Sequence, residues 1–149
     1  MKTAVDSSVL FDIVKGEPGA VAATRALETA LARGSLCVCA VVVAELGRYF
    51  NSGDDLKAFL VDCQIDHEAI SLEAALEAAR IMRAYARNKS PREQDLGKNV
   101  ALDFLIGAHA LVQADALLTR DGGFYRTYFS GLALAAPNVA PSAAPLAQH

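Results

Sequence analysis

Short apolar runs that stop at a polar or acidic residue, separated by stretches of helical periodicity, constrain the fold of this chain more than any other feature. Residues 2–6 read as a buried strand ending at Asp6, and Ser7 or Ser8 then caps a brief helix through Phe11 and Val14 that Gly16-Glu17-Pro18-Gly19 ends. A helical pattern runs from Ala20 to Arg33, with Gly34 as its stop. Leu36–Val42 begins as a second buried strand and passes near Val41 into a helix carrying Glu45, Leu46 and Tyr49. Asn51-Ser52-Gly53-Asp54 supplies a turn and a cap for a helix to about Cys63. Ile65–Ile70 gives a third strand, and Ser71 caps a long helix whose buried stripe is expected to be Leu72, Ala75, Leu76, Ala79, Met82 and Ala86. Ser90–Asn99 reads as a polar loop, Val100–Val112 as a helix and Ala116–Thr119 as a fourth strand. Asp121-Gly122-Gly123 turns into a short aromatic segment, Phe124–Phe129, and Leu132–Ala135 reads as the last strand. Strands separated by helices require right-handed crossovers, so the expected fold is α/β, with a central parallel sheet of about five strands flanked by helices. Such sheets place ligand sites at the carboxyl ends of the strands, where the winding reverses.

With 149 residues, 53% of them hydrophobic, the chain is long enough for one compact domain with its own core. That domain is expected over residues 1–136. The Ala/Pro-rich tail 137–149 has few large apolar groups and is expected to be loose. No apolar stretch approaches the roughly 18–20 residues of a membrane span. The first residues lack a basic start followed by an apolar core, so no secretory signal is expected and the cytoplasm is the default compartment. Cys37 and Cys39, two apart, and Cys63 match no zinc spacing, and they read as buried free thiols.

Four acids stand beside breaks in apolar segments: Asp6 after Ala4-Val5, Glu45 after Val42-Val43-Ala44, Asp103 in Leu102-Asp103-Phe104, and Asp121 after Leu117-Leu118-Thr119-Arg120. A carboxylate against apolar surroundings neutralises, pairs or binds a cation. Topology puts Asp6 and Asp121 at or just past strand ends, with Glu45 opening the helix after the second strand. The helical neighbours of Asp103 are Ile106, Gly107 and Ala110, and Gly107 is expected to leave open space beside the acid. Each acid also has an ordinary structural reading as a cap, a turn residue or a partner of a buried base.

The net charge of −3 argues against a protein held to nucleic acid by bulk charge. Arg80, Arg83, Arg87, Lys89, Arg92 and Lys98 nevertheless form a local surplus able to hold a phosphate backbone, with a solvated helix face as the alternative. Tyr85, Tyr125 and Tyr128 fit either base stacking or packing. His67 and His109 read as ordinary hydrogen-bonded or partly exposed histidines. No paired serine or cysteine nucleophile and no phosphate-binding glycine loop is present.

Val5-Asp6-Ser7-Ser8, Val43-Ala44-Glu45-Leu46, Asp103-Phe104-Leu105-Ile106-Gly107-Ala108-His109-Ala110 and Leu117-Leu118-Thr119-Arg120-Asp121-Gly122-Gly123-Phe124 follow one another in an order and at distances that resemble the PIN-domain nucleases, most closely the VapC-type toxins of bacterial toxin–antitoxin pairs. The resemblance covers roughly residues 2–135. It implies a single PIN-like domain with Asp6, Glu45, Asp103 and Asp121 as an acidic quartet and Ser8 and Thr119 as accessory pocket residues. It also implies dependence on Mg²⁺ or Mn²⁺, endoribonuclease activity on RNA, and homodimers neutralised by a small antitoxin. Hard oxygen donors suit those cations better than zinc. Asp6, Asp103 and Asp121 are the expected metal ligands, with Glu45 ligating or orienting the attacking water. The helices near residues 41–62 fit either a dimer or inhibitor surface or simple core packing.

Two other classes share parts of the pattern. A phosphotransfer receiver or phosphatase also carries acids at strand ends, but it needs a lysine near the phosphate and none occurs after Lys98. A catalytically inactive PIN-like binding module would not need all four acids.

Overall fold

In a computed structural model, which describes residues 1–87 and 98–138, five parallel strands form one sheet in the order β3-β2-β1-β4-β5. They are β1 Lys2–Val5, β2 Ser35–Val38, β3 Ile65–His67, β4 Ala116–Leu118 and β5 Leu134–Ala135. The described helices are α1 Ser7–Val14, α2 Ala20–Ala32, α3 Ala40–Gly47, α4 Gly53–Asp62, α5 Leu72–Arg87, α6 Lys98–Gln113 and α7 Gly122–Tyr128. This is the α/β architecture expected from the alternation of apolar runs and helical segments.

From β1 the chain steps outward to β2 and β3, then returns through α5 and α6 to the other flank of β1. The winding therefore reverses between β1 and β4, where Val5 is in register with Leu118. The residues after those partners, Asp6 and Thr119, leave the sheet side by side. Both strands are sealed by apolar neighbours: Ala4, Val5, Leu117 and Leu118 are all at most 2% exposed. Burial on both faces explains why these strands are continuous apolar runs rather than alternating ones. None of the described helices is long and apolar enough to cross a membrane.

Several sequence expectations need correction. The strand β2 stops at Val38, and Cys39 is the residue before α3. Val41–Val43 are β-branched, yet burial falls on Val42 and Leu46, four apart, so packing of one helical face overrides strand propensity. Glu45 consequently lies in the second turn of α3 rather than opening it. On α5 the buried residues are Ala74, Ala78 and Ile81, whereas Leu72 and Leu76 are 75% and 60% exposed. Small alanines let α5 lie close against α6, and the larger leucines face solvent instead of forming the core stripe. Strands β1, β3, β4 and β5 are each shorter than the segments expected for them.

The caps at Ser52 and Ser71 are as expected, since their hydroxyls accept from Asp55 N at 3.1 Å and Ala74 N at 3.0 Å. Ser7 and Ser8 are not caps: Asp6 precedes α1, and both serines lie within the helix. Helix α6 begins at Lys98, earlier than Val100, so the expected loop ends sooner than Asn99. The rest of that loop, and the tail from residue 139 onward, lie outside the described residues.

Candidate active site

Asp6 is 4% exposed although it immediately follows a strand. Its Oδ2 accepts from Thr119 Oγ1 at 2.7 Å and from Ser8 Oγ at 2.9 Å. Two hydroxyls from opposite sides of the switch point thus satisfy one oxygen of a buried carboxylate. The Asp6 amide donates to Leu118 O at 2.9 Å, which ties the loop after β1 to the end of β4. Ser7 Oγ donates to Glu45 Oε1 at 3.0 Å, so α1 fixes an acid that α3 carries. Thr119 Oγ1 also accepts from Asp121 N at 2.9 Å, and Asp121 makes no side-chain cap bond to α7. The carboxylates of Asp6 and Asp121 therefore do not serve as helix caps.

The electrostatics bring the four acids into one neighbourhood. Burial pushes Asp103 up to about 7, and the charges of Asp6, Glu45 and Asp121 push in the same direction. Glu45 is raised chiefly by burial, the Ser7 hydrogen bond opposing, with Asp6 adding repulsion and Arg48 relieving part of it. Tyr125, 1% exposed, is raised by burial and by the same four acids. Its hydroxyl has no hydrogen-bond partner among the described residues. No three of the acids bring their oxygens within 4.8 Å of one another.

Helix α6 holds Asp103 through the residue beside it. Phe104 is fully buried and packs against Tyr85, Phe124, Tyr128 and Phe129 at ring separations of 5.5, 5.4, 5.5 and 6.2 Å. Gly107 does not open space beside the acid as expected. A Cβ there would stand 2.5 Å from the Phe129 ring, so the missing side chain admits the aromatic cluster. Tyr85 and Tyr128 belong to that cluster, which favours packing over base stacking for them.

The PIN domain family matches residues 3–130, which takes in all four acids. The chain belongs to the PIN-domain family. No curated protein matches it in sequence. Among solved structures, the PIN domain described here is similar in fold to VapBC2 from Rickettsia felis bound to a DNA fragment from its promoter, with a TM-score of 0.67 and 16% identity over 93% of this chain and 100% of that one. DNA-bound VapBC from Salmonella typhimurium gives a TM-score of 0.66 and 15% identity over 93% and 99%. FitAB bound to the IR36 DNA fragment gives 0.62 and 18% over 94% and 99%.

Within this PIN domain the donor set suits a hard divalent cation. It offers only carboxylates and hydroxyls, it is partly desolvated, and its most perturbed acid is raised by burial first and then by the three others. The sequence-predicted basic surplus is less coherent. Arg80 is paired with Glu77, at 2.5 Å, while Arg83 and Arg87 are exposed on α5. Lys89 and Arg92, and the side chain of Lys98, lie outside the described residues.

A further pair, a buried acid and a half-exposed arginine outside the sequence-predicted residues, braces this site. Asp12 on α1 is 2% exposed, and Arg120 Nε stands 2.9 Å from its Oδ2. The Arg120 N–H is aimed instead at Ser8 O, 3.2 Å away, so the contact is an ion pair without hydrogen-bond alignment. Arg120 N also donates to Ser8 Oγ at 3.1 Å. Gly19 admits this arrangement, since a Cβ there would lie 2.8 Å from Asp12 Oδ2. The signal was present: Asp12 sits among Leu10, Phe11, Ile13 and Val14, as apolar a setting as that of Asp6.

Proposed function

We propose that this PIN domain is a divalent-metal-dependent endoribonuclease and the toxin of a toxin–antitoxin pair, acting in the cytoplasm. The observation that carries the reading is the buried Asp6 carboxylate at the switch point, held by Thr119 and Ser8, with Glu45 tied beside it through Ser7 and with Asp103 pushed up by burial and by the charges of Asp6, Glu45 and Asp121. Repulsion of that kind favours a cation among the acids. Asp6, Asp103 and Asp121 would hold Mg²⁺ or Mn²⁺, and Glu45 would ligate or orient the attacking water. When bound, the cation supplies a water of lowered pKa and neutralises charge on the scissile phosphate and the leaving oxygen.

The chain's own groups prepare this chemistry. Ser8 and Thr119 hold Asp6 Oδ2 in place, so the carboxylate is oriented before any ligand arrives. Ser7 fixes one oxygen of Glu45, and the raised affinity of Glu45 for protons suits a group that takes one from water. Exposed Arg83 and Arg87 would meet the RNA backbone.

The likeness in fold to VapBC2, VapBC and FitAB supports a small antitoxin as partner, and homodimerisation is part of the same reading. The test uses purified chain freed of any antitoxin. Structured RNA should be cleaved with Mn²⁺, and cleavage should stop with EDTA or with Asp6→Asn. Undiminished cleavage by Asp6→Asn removes the mechanism. Induction of the chain alone should arrest growth, with rescue by a small protein encoded beside it.

A further inference from the structure

A second group of potential ligands lies away from the acidic quartet, where β2, the end of β3 and α6 meet. Cys37 on β2 is in register with Ala4 and with Asp66, and it is 2% exposed. Glu68 follows β3, its amide donating to Val38 O at 2.8 Å. His109 is on α6, 1% exposed, six residues beyond Asp103 and hence about 9 Å along the helix axis. The sulfur of Cys37, a ring nitrogen of His109 and a carboxylate oxygen of Glu68 all lie within 4.8 Å of one another. Among the described residues no other trio of such side chains is this close.

We propose that Cys37, Glu68 and His109 form a second cation site, for a zinc-class divalent ion, distinct from the oxygen-only quartet. The donor types decide the class of ion. One thiolate, one imidazole and one carboxylate suit a borderline-soft ion, whereas four carboxylates suit a hard one. Bonds of about 2.0–2.3 Å to a tetrahedral ion need ligand atoms about 3.3–3.8 Å apart. The His109 and Glu68 atoms, 3.0 Å apart, would open slightly, and the Cys37 sulfur, within 4.8 Å of both, would move by no more than roughly an ångström.

The surroundings are those of a supported ligand set. Lys2 Nζ holds Glu68 Oε2 at 2.5 Å, which leaves Oε1 turned to His109 Nε2 at 3.0 Å. Gln113 Nε2 donates to Glu68 Oε1 at 3.2 Å and to Ala69 O at 2.9 Å, while its Oε1 accepts from Ser71 N at 2.9 Å. Outer partners of this kind fix the orientation of metal-binding side chains. Glu68, 25% exposed, provides the way in from solvent.

Binding forms one bond each from the metal to sulfur, nitrogen and oxygen. It breaks the Cys37 S–H bond and the His109–Glu68 hydrogen bond, and the thiol proton leaves to solvent. No electron is transferred. Without the ion, burial holds the thiol protonated, pushed up to about 12, and Glu68 adds to that. Three protein ligands leave a fourth position for water. The site would join β2, the end of β3 and the helix that carries Asp103.

The experiment titrates Co²⁺ into the full, antitoxin-free chain with excess Mg²⁺ present to occupy hard oxygen sites. A sulfur-to-cobalt charge-transfer band should appear in the near ultraviolet, saturate at one ion per chain and vanish when Zn²⁺ displaces the cobalt. The band should be lost in Cys37→Ser, weaken by roughly 10-fold or more in affinity in His109→Gln, and persist in Asp103→Asn. A double variant, Cys39→Ala with Cys63→Ala, leaves the trio intact and should keep the band, which provides a test that needs no change at the site itself. Absence of the band in the wild-type chain, its loss in that double variant, or its survival in Cys37→Ser overturns the assignment. Because the readout is spectral, it stands or falls apart from RNA cleavage.

Discussion

The hydroxyl of Thr119 donates to Asp6 Oδ2 at 2.7 Å and joins the ends of the two strands between which the sheet reverses its winding. The same oxygen atom of Thr119 receives the amide of Asp121 at 2.9 Å. One side chain therefore sets the relative position of two acids that come from opposite sides of the switch point. Thr119→Val keeps the shape and removes both bonds. It should weaken Mn²⁺ binding by about 10–100-fold with little change in fold, as measured by calorimetry alongside circular dichroism. Unchanged affinity would make Thr119 a packing residue only.

Asp103 gives a pH dependence with a definite sign. Its folded carboxyl sits at about 7, above the ordinary carboxylate value of about 4 in an unfolded chain. The folded state thus binds this proton more tightly, so the stability it contributes is full below about pH 4 and is lost as pH rises through 7. In EDTA the Tm should fall across that window, and Mn²⁺ should restore it above pH 7. Asp103→Asn should flatten the slope and stabilise the metal-free chain at pH 8 by roughly 1–3 kcal/mol, after allowance for partial exposure. A Tm that rises with pH in EDTA, with no effect of the substitution, would contradict this.

Tyr125 holds a buried hydroxyl with no partner among the described residues, close to four acids. An unsatisfied buried hydroxyl costs about 1–3 kcal/mol. Tyr125→Phe should therefore raise the Tm of the metal-free chain, and it should lower Mn²⁺ affinity if the hydroxyl is kept for the loaded site. Thermal melts with EDTA and with Mn²⁺ separate the two effects. A lower metal-free Tm would show that the hydroxyl already stabilises the fold.

Arg120 faces Asp12 at 2.9 Å, and Asp12 is almost wholly buried. Arg120→Ala strands that carboxylate, and the cost should be about 1–3 kcal/mol, reduced from a fully buried pair because Arg120 is half exposed. Urea unfolding gives the number. The double variant Asp12→Asn with Arg120→Ala should recover part of the loss, since the buried charge is then gone.

The parallel sheet and the positions of Asp6 and Asp121 were legible because apolar runs in a doubly covered sheet stop where the backbone leaves it. Glu45 was placed on the right helix but in the wrong turn, since Val41, Val42 and Val43 carry strand propensity that only burial of Val42 and Leu46 overrides. The face of α5 was missed because alanines, not leucines, permit its close approach to α6. Asp12 with Arg120, and Glu68 with Lys2 and His109, were invisible for another reason. Their meaning lies in pairs far apart in sequence, and a single chain read in order does not reveal which charge meets which. The aromatic packing that holds Phe104, and with it Asp103, was likewise set by tertiary contact.

The central claim is that the four acids hold a divalent cation in common, and titration of Mn²⁺ into the antitoxin-free chain tests it most directly. The wild-type chain should bind Mn²⁺, with affinity reduced at least about 10-fold in Asp6→Asn and in Asp103→Asn and unchanged in Cys37→Ser. Equal Mn²⁺ affinity in the wild-type chain and both variants would contradict the account.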